Sequence, residues 1–198
     1  MSDTVITTLP VVARWEPDAR GRLAQAALEL FAAQGFEQTT VADIAHRAGV
    51  TERTFFRHFA DKREVLFDSG ASLQRAVVEA IAAAPSAAPI DLVGHAFRQA
   101  ASLLEERRDF ARQRTAAIAA NPGLQERELL KLSALGEAAA EALRRRGVPD
   151  PAAGLAAGSG VTAFRIGFER WISGPASETL SASIGDVLDQ LKAVAAGA

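Results

Sequence analysis

Between Thr39 and Phe67 the chain reads TTVADIAHRAGVTERTFFRHFADKREVLF. The spacing predicts two short helices joined by a tight turn, followed at once by a third, longer helix. Thr40 and Thr51 are suited to N-caps, because a threonine hydroxyl can accept from an amide one turn on. Asp43 stands three residues after Thr40, the return half of a capping-box-like pair. Ala45 is small where the two helices must cross closely, and Phe55 fills the wedge between them. Gly49 permits the positive φ that a sharp turn needs. Two helices crossing steeply over such a turn make a helix-turn-helix, whose second helix fits the major groove of DNA.

The rest of the chain reads as helix throughout, so the expected fold is all-α, with about nine helices. A first helix is predicted over 18–34, where Leu23, Ala27, Leu30 and Phe31 recur on one face and Gly35 supplies a stop. The helix after the motif is expected from Asp61 to about Ala83, ending at the break Ala84-Pro85-Ser86-Ala87-Ala88-Pro89. Further helices are expected over about 91–106, 108–119, 124–146 and 151–172, then from Leu180 onward. The basic end Arg144-Arg145-Arg146 complements the negative pole of its own helix. The helix over 151–172 is apolar nearly all round, which implies burial on more than one side. Gly154 and Gly158 lie four apart on it and would admit a close neighbour. In the last helix Leu180, Ile184, Val187, Leu191 and Val194 alternate in steps of four and three, a coiled-coil-like seam. That seam suits packing within one chain or against a partner.

The pieces Gly35-Phe36, Thr40-Val41 with Ile44-Ala45, Ala48-Gly49-Val50, His58-Phe59 and Lys62 together resemble the DNA-binding domain of the TetR family of bacterial transcription regulators. The resemblance covers roughly Arg20 to Phe67. It implies a flexible arm over 1–17, a DNA-binding domain over 18–67, and a helical ligand-binding and dimerisation domain over 68–198. It also implies a ligand-responsive repressor acting as a homodimer on a palindromic operator. A transcriptional activator of the same fold and a non-specific DNA-architectural protein are the alternatives.

For the DNA site, Thr51, Arg53 and Thr54 stand at the start of the recognition helix. Arg53 is the candidate base reader, since a guanidinium can donate twice to guanine. The resemblance places Thr40, His58 and Lys62 near phosphate. Where the family carries a tyrosine this chain has Phe56, and it has no tyrosine at all. A hydroxyl contact to phosphate is thereby lost, and Arg57 is positioned to compensate. The resemblance further implies that the last two helices form the dimer interface, through Gly154, Gly158, Leu180, Ile184, Val187 and Leu191. It implies an effector pocket between the central helices, with Phe97, Arg114, Phe164 and Phe168 as candidate contacts. Leu73, Val77, Phe110, Ile118 and Leu132 are further apolar candidates, and His95, Arg98 and Arg165 further polar ones. The stretch 108–132 is similar to a subgroup associated with acyl-CoA-like molecules, while an aromatic effector suits the same apolar set.

Composition sets limits on other readings. Net charge is −2, so any DNA contact must rest on a local patch and not on a basic surface. The absence of cysteine excludes disulfides, thiol catalysis and Cys-type zinc sites, and fits a reducing cytoplasm. Residues 1–13 lack the pattern of a signal peptide, and no apolar run is long enough to span a bilayer. Three scattered histidines, no Gly-rich phosphate loop and no metal-ligand cluster speak against an enzyme, so no catalytic residue, metal or cofactor is expected.

Overall fold

The computed structural model describes residues 18–68 and 70–197; the arm expected over 1–17 lies outside them. Among the described residues the regular structure is all helix, in eleven segments: α1 (Ala19–Gln34), α2 (Val41–Arg47), α3 (Glu52–His58), α4 (Glu64–Phe67), α5 (Gly70–Ala83), α6 (Pro89–Ala100), α7 (Ser102–Glu105), α8 (Arg108–Ala119), α9 (Pro122–Arg145), α10 (Ala152–Ser173) and α11 (Leu180–Ala196). Counted with the helices they adjoin, the one-turn segments α4 and α7 bring the number to the nine expected.

The local signals for helix starts act as read. Asp18 caps α1 by accepting from the Gly21 amide at 2.8 Å. Thr40 and Asp43 form a reciprocal capping box, with the Thr40 amide donating to Asp43 at 2.9 Å and the Asp43 amide donating to Thr40 Oγ1 at 3.1 Å. Those bonds, the Thr40 hydroxyl's first, hold the Asp43 carboxyl below its ordinary range. Thr51 caps α3 by accepting from the Thr54 amide at 3.2 Å.

Four boundaries differ from expectation. Asp61 accepts from the amides of Arg63 and Glu64 at 2.8 and 3.0 Å, which closes a turn ahead of the helix instead of opening it. The segment α4 ends at Phe67, and the carbonyls of Leu66 and Phe67 accept from Arg114 of α8 and Lys131 of α9. The helices α6 and α9 start two residues early, at Pro89 and Pro122, since proline at a first helical position needs no amide partner. The basic end of α9 also acts elsewhere than expected. Arg146 donates to Ile81 O and Ala84 O, at 2.6 and 2.5 Å, so it satisfies the end of α5.

Two apolar cores result. One gathers Leu23, Leu28, Phe31, Ile44, Phe55, Leu66 and Phe67 from α1–α4 and draws in Ile118 of α8 and Leu124 of α9. The other joins α5, α6, α9, α10 and α11 around Val77, Val93, Phe97, Leu143 and Trp171. Within it α10 packs against α6, α8, α9 and α11, as an all-round apolar helix must.

The expected interface seam is corrected in part. Leu180, Ile184 and Val187 are buried inside their own chain, in the second core. The reason is that α6 and α10 offer glycines where α11 crosses. A Cβ on Gly94 would lie 2.9 Å from Leu188, and one on Gly167 would lie 3.0 Å from the Ile184 backbone. Leu191 is half-buried at the edge of that packing, while Gly154 and Gly158 are exposed on α10.

Gly160 is the tightest such crossing, since an added Cβ would fall 2.0 Å from Val93 Cγ1 and 2.9 Å from the Phe97 ring. Gly160→Ala is expected to destabilise the chain by ~1–3 kcal/mol through overpacking. Gly158→Ala meets nothing within 4 Å and should stabilise the protomer by ~0.5–1 kcal/mol through helix propensity. Urea denaturation of both variants checks the contrast.

Candidate nucleic-acid interface and effector cavity

The α2–α3 turn is closed by the Val50 amide donating to Ala45 O at 2.9 Å, with Gly49 at φ 68°. Ala45 and Phe55 are buried against α1, so the outer face of α3 is held out from a fixed base. On that face Thr51, Glu52, Arg53, Phe56 and Arg57 are exposed and Thr54 is half-buried. Thr54 Oγ1 lies 3.1 Å from Thr51 Oγ1, so the two hydroxyls share the cap. Phe56 is 55% exposed, an apolar ring standing where a contact to a nucleic-acid backbone was expected.

Charge on this surface is unevenly distributed. Arg20 pairs with Asp68, Arg47 with Glu29 and Arg63 with Asp61. Arg53 and Arg57, one turn apart, make no ion pair among the described residues. They present positive charge that no carboxylate among the described residues pairs with.

Two of the expected phosphate contacts are turned inward. The Lys62 ammonium donates to Phe36 O at 2.8 Å and to Thr39 O at 2.9 Å, and sits 4.3 Å from the Phe36 ring centroid. It ties the loop between α1 and α2 to the start of the fourth helix, by donating to carbonyls of that loop. His58 is half-buried, with Nε2 inside the protein and without a hydrogen-bond partner among the described residues. Thr40 remains exposed.

A cavity of about 320 Å³ opens between α5, α8, α9 and α10. It brings together Arg114, Phe164 and Phe168 from the expected set, with Leu73, Phe110 and Leu132. Phe97 is off the wall and lies behind Phe164, ring centroids 5.7 Å apart. Val77 and Ile118 belong to the two cores. His95 and Arg98 are exposed away from the cavity, and Arg165 pairs with Glu169 on the surface. Sequence reasoning did not pick out Arg107, Glu128 and Lys131, which also line it. Their signal is spacing, since Arg107 and Arg114 lie two turns apart on α8 while Glu128 and Lys131 lie one turn apart on α9.

The cavity end nearest α4 is a cluster of cations. Arg114 donates to Leu66 O at 2.5 Å and donates two parallel hydrogen bonds to the Glu128 carboxylate, at 3.0 and 2.5 Å. Lys131 donates to Phe67 O, and Arg127 pairs with Glu64. Arg114, Arg127 and Lys131 lie 5.2, 5.3 and 5.0 Å from the Phe67 ring centroid. Burial, followed by the repulsion of Arg114 and Arg127, lowers the Lys131 pKa to about 8.

Known proteins place this arrangement. The family described as bacterial regulatory proteins, tetR family, matches residues 23–68, and the MftR C-terminal domain matches residues 87–196. The chain belongs to the TetR family. It is 44% identical over 80 residues to the HTH-type transcriptional regulator TcmR of Streptomyces glaucescens, covering 40% of this chain and 35% of that protein. It is 43% identical over 47 residues to the HTH-type transcriptional repressor KstR2 of Mycobacterium tuberculosis, covering 24% of each. These matches span about a third or less of either relative. Over the whole fold, the SmeT–triclosan complex superposes with a TM-score of 0.63 at 19% identity, covering 89% of this chain and 90% of that one. The fatty acid degradation regulator FadR of Bacillus halodurans superposes with a TM-score of 0.56 at 15% identity, covering 89% and 95%. Both structures share the all-α fold described above. No helix among the described residues is long and apolar enough to cross a membrane.

Lys62→Met removes the ammonium donor from Phe36 O and Thr39 O, and leaves Phe36 O with the Thr39 amide at 3.3 Å. It is expected to cost ~1–3 kcal/mol of stability and to raise amide exchange between Gly35 and Thr39, which hydrogen-exchange mass spectrometry measures directly.

Proposed function

We propose that this chain is a ligand-responsive transcriptional repressor that binds a near-palindromic operator as a homodimer. The observation that carries it is the face of α3, where Arg53 and Arg57 stand exposed without an ion pair on a rigidly capped helix. Arg53 and Thr54 read base edges, with Thr51 holding the start of the helix in register. Arg57 and Thr40 contact phosphate, and the Phe56 ring packs on the sugar backbone. Lys62 and His58 act from behind, by fixing the loop and the end of α3. Residues 18–67 serve as the reader and residues from 68 onward as the sensor.

A single α3 reads only a few base pairs, so two copies are needed. The exposed side of α10 suits a second copy. Leu155 is 69% exposed, and beside it Gly154 and Gly158 leave room for a close backbone. Val194 of α11, 73% exposed, extends the same apolar character at the chain's other end. Leu191 borders this face, whereas Leu180, Ile184 and Val187 support it from within.

The cavity is the effector site. A ligand that binds better to the protomer arrangement unsuited to DNA weakens operator affinity, typically by ~1–3 kcal/mol, and DNA weakens the ligand equally. Blocking a promoter in this way makes the chain a repressor acting inside the cell.

Footprinting on the DNA flanking the gene should protect two half-sites about one helical turn, ~34–36 Å, or a small multiple apart. A single asymmetric half-site would contradict the dimer. Arg53→Ala is expected to cost ~1–3 kcal/mol and to relax preference at one base position. Equal weakening on every sequence would remove Arg53 from base reading.

A further inference from the structure

The cavity walls carry more positive charge than the protein neutralises. Arg107, Arg114 and Lys131 face it and Glu128 is the only acidic lining residue, already bound by Arg114 through two hydrogen bonds. Arg107 stacks on the Phe110 ring, 4.2 Å from its centroid. Lys131 has no carboxylate partner among the described residues; its contacts are Phe67 O and the Phe67 ring. An ammonium half-removed from water beside two guanidinium groups, with no anion of its own, is an electrostatically unmet charge.

Position adds direction. Lys131 and Arg114 stand at the end of the cavity against α4, while Phe164 and Phe168 line the end against α10. Gly70 leaves the space that the lysine uses, since a Cβ there would meet Nζ at 2.9 Å. The cavity is near the small end of the range for ligand sites. It matches an apolar body of modest size with one anionic group at one end.

We propose that the cavity takes a small aryl- or alkyl-carboxylate, seated with its carboxylate on Lys131 and its apolar body between Leu132, Phe110 and Phe168. The proposal rests on the cavity being the effector site and names its ligand class. It also names the regulation. A carboxylate on Lys131 competes with Phe67 O for the ammonium, and so loosens the hold of α9 on the end of α4. A CoA thioester places its anionic groups on a bulky head outside such a cavity and offers Lys131 only a neutral carbonyl.

The charged groups around Lys131 are Arg107 and Arg114 of α8, Arg127 and Glu128 of α9, and Glu64 of α4. The α5 and α10 residues lining the cavity are uncharged. A ligand carboxylate stays ionised at neutral pH and above. Lys131 changes state near pH 8, charged below and neutral above. Affinity for a carboxylate is therefore flat below this point and falls above it, by up to about tenfold per pH unit.

Calorimetry on the full chain with 4-phenylbutyrate and with 4-phenylbutanol tests this, repeated on Lys131→Met, which keeps an apolar side chain of similar length. The acid is expected to bind wild type at least about tenfold tighter than the alcohol (1.4 kcal/mol). The variant should bind both alike, and the acid's advantage in wild type should shrink above pH 8 or so. Equal binding of acid and alcohol to wild type overturns the anion assignment and leaves the effector cavity standing. A preference for the acid that survives in Lys131→Met removes Lys131 from the site and overturns the proposal. If neither probe binds either protein, the effector-site reading falls as well.

Discussion

The fourth helix has only one turn, Glu64–Phe67, and one turn of helix cannot hold itself together, because nucleation costs more than a single hydrogen bond returns. It is held from outside. Arg114 of α8 binds Leu66 O, Lys131 of α9 binds Phe67 O, and Arg127 of α9 pairs with Glu64. At the centre is the Phe67 ring, buried to 1% exposure and faced by all three cations. A ring face attracts a cation with ~0.5–2 kcal/mol, more as water is excluded, but three cations around one ring also repel each other. Glu64 and Glu128 offset two of them. The third, Lys131, is left with a lowered pKa. The joint between the two apolar cores is therefore held by charges that are not fully balanced, which makes it easy to bias.

That joint gives α8 and α9 two duties. Ile118 and Leu124 complete the core of the helix-turn-helix, while Leu135, Ala139 and Leu143 belong to the second core. With 24 residues, α9 runs about 36 Å, so one rigid rod is anchored in both cores. The cavity lies along its side. Any ligand that shifts α9 against α8 must act on the carbonyls of α4, and through them on the platform that carries α3. No separate relay is needed, since the same side chains line the cavity and cap the connector.

How far the sequence foretold this depends on the range of each interaction. The capping box of Thr40 and Asp43, the Thr51 cap, the Gly49 turn and the Phe55 wedge are local, settled within a few residues, and all were legible. Lys62 was legible as a position but not as a contact. Matching a motif says where a lysine stands, and only the fold shows three loop carbonyls waiting for its ammonium. The seam of α11 failed for a related reason. A four–three spacing of Leu180, Ile184 and Val187 specifies an apolar stripe and is silent on what covers it, and here Gly94 and Gly167 admit α11 into its own chain. Lys131 was the hardest to see. In the run QERELLKL it looks like one charge on a wet helix face, with exposed Leu129 and Leu130 beside it. Only the approach of α4 and α8 turns that face inward.

The same accounting of charge bears on how a chain of net charge −2 can hold DNA. Non-specific binding draws on the number of phosphates neutralised, and it weakens steeply with salt. In the described part of the reader, Arg20, Arg47 and Arg63 are already paired, and Lys62 is committed to carbonyls. Arg53 and Arg57 remain. With so few uncommitted cations among the described residues, phosphate attraction alone gives little affinity, and the proposed complex relies on fit: base edges met by Arg53 and Thr54 from two copies of α3. On that proposal the spacing of the two copies is decisive. A protein held mainly by phosphate attraction would tolerate a shift of its second reader, whereas one held by two short recognition faces loses half of its specific contacts when the joint at Phe67 moves.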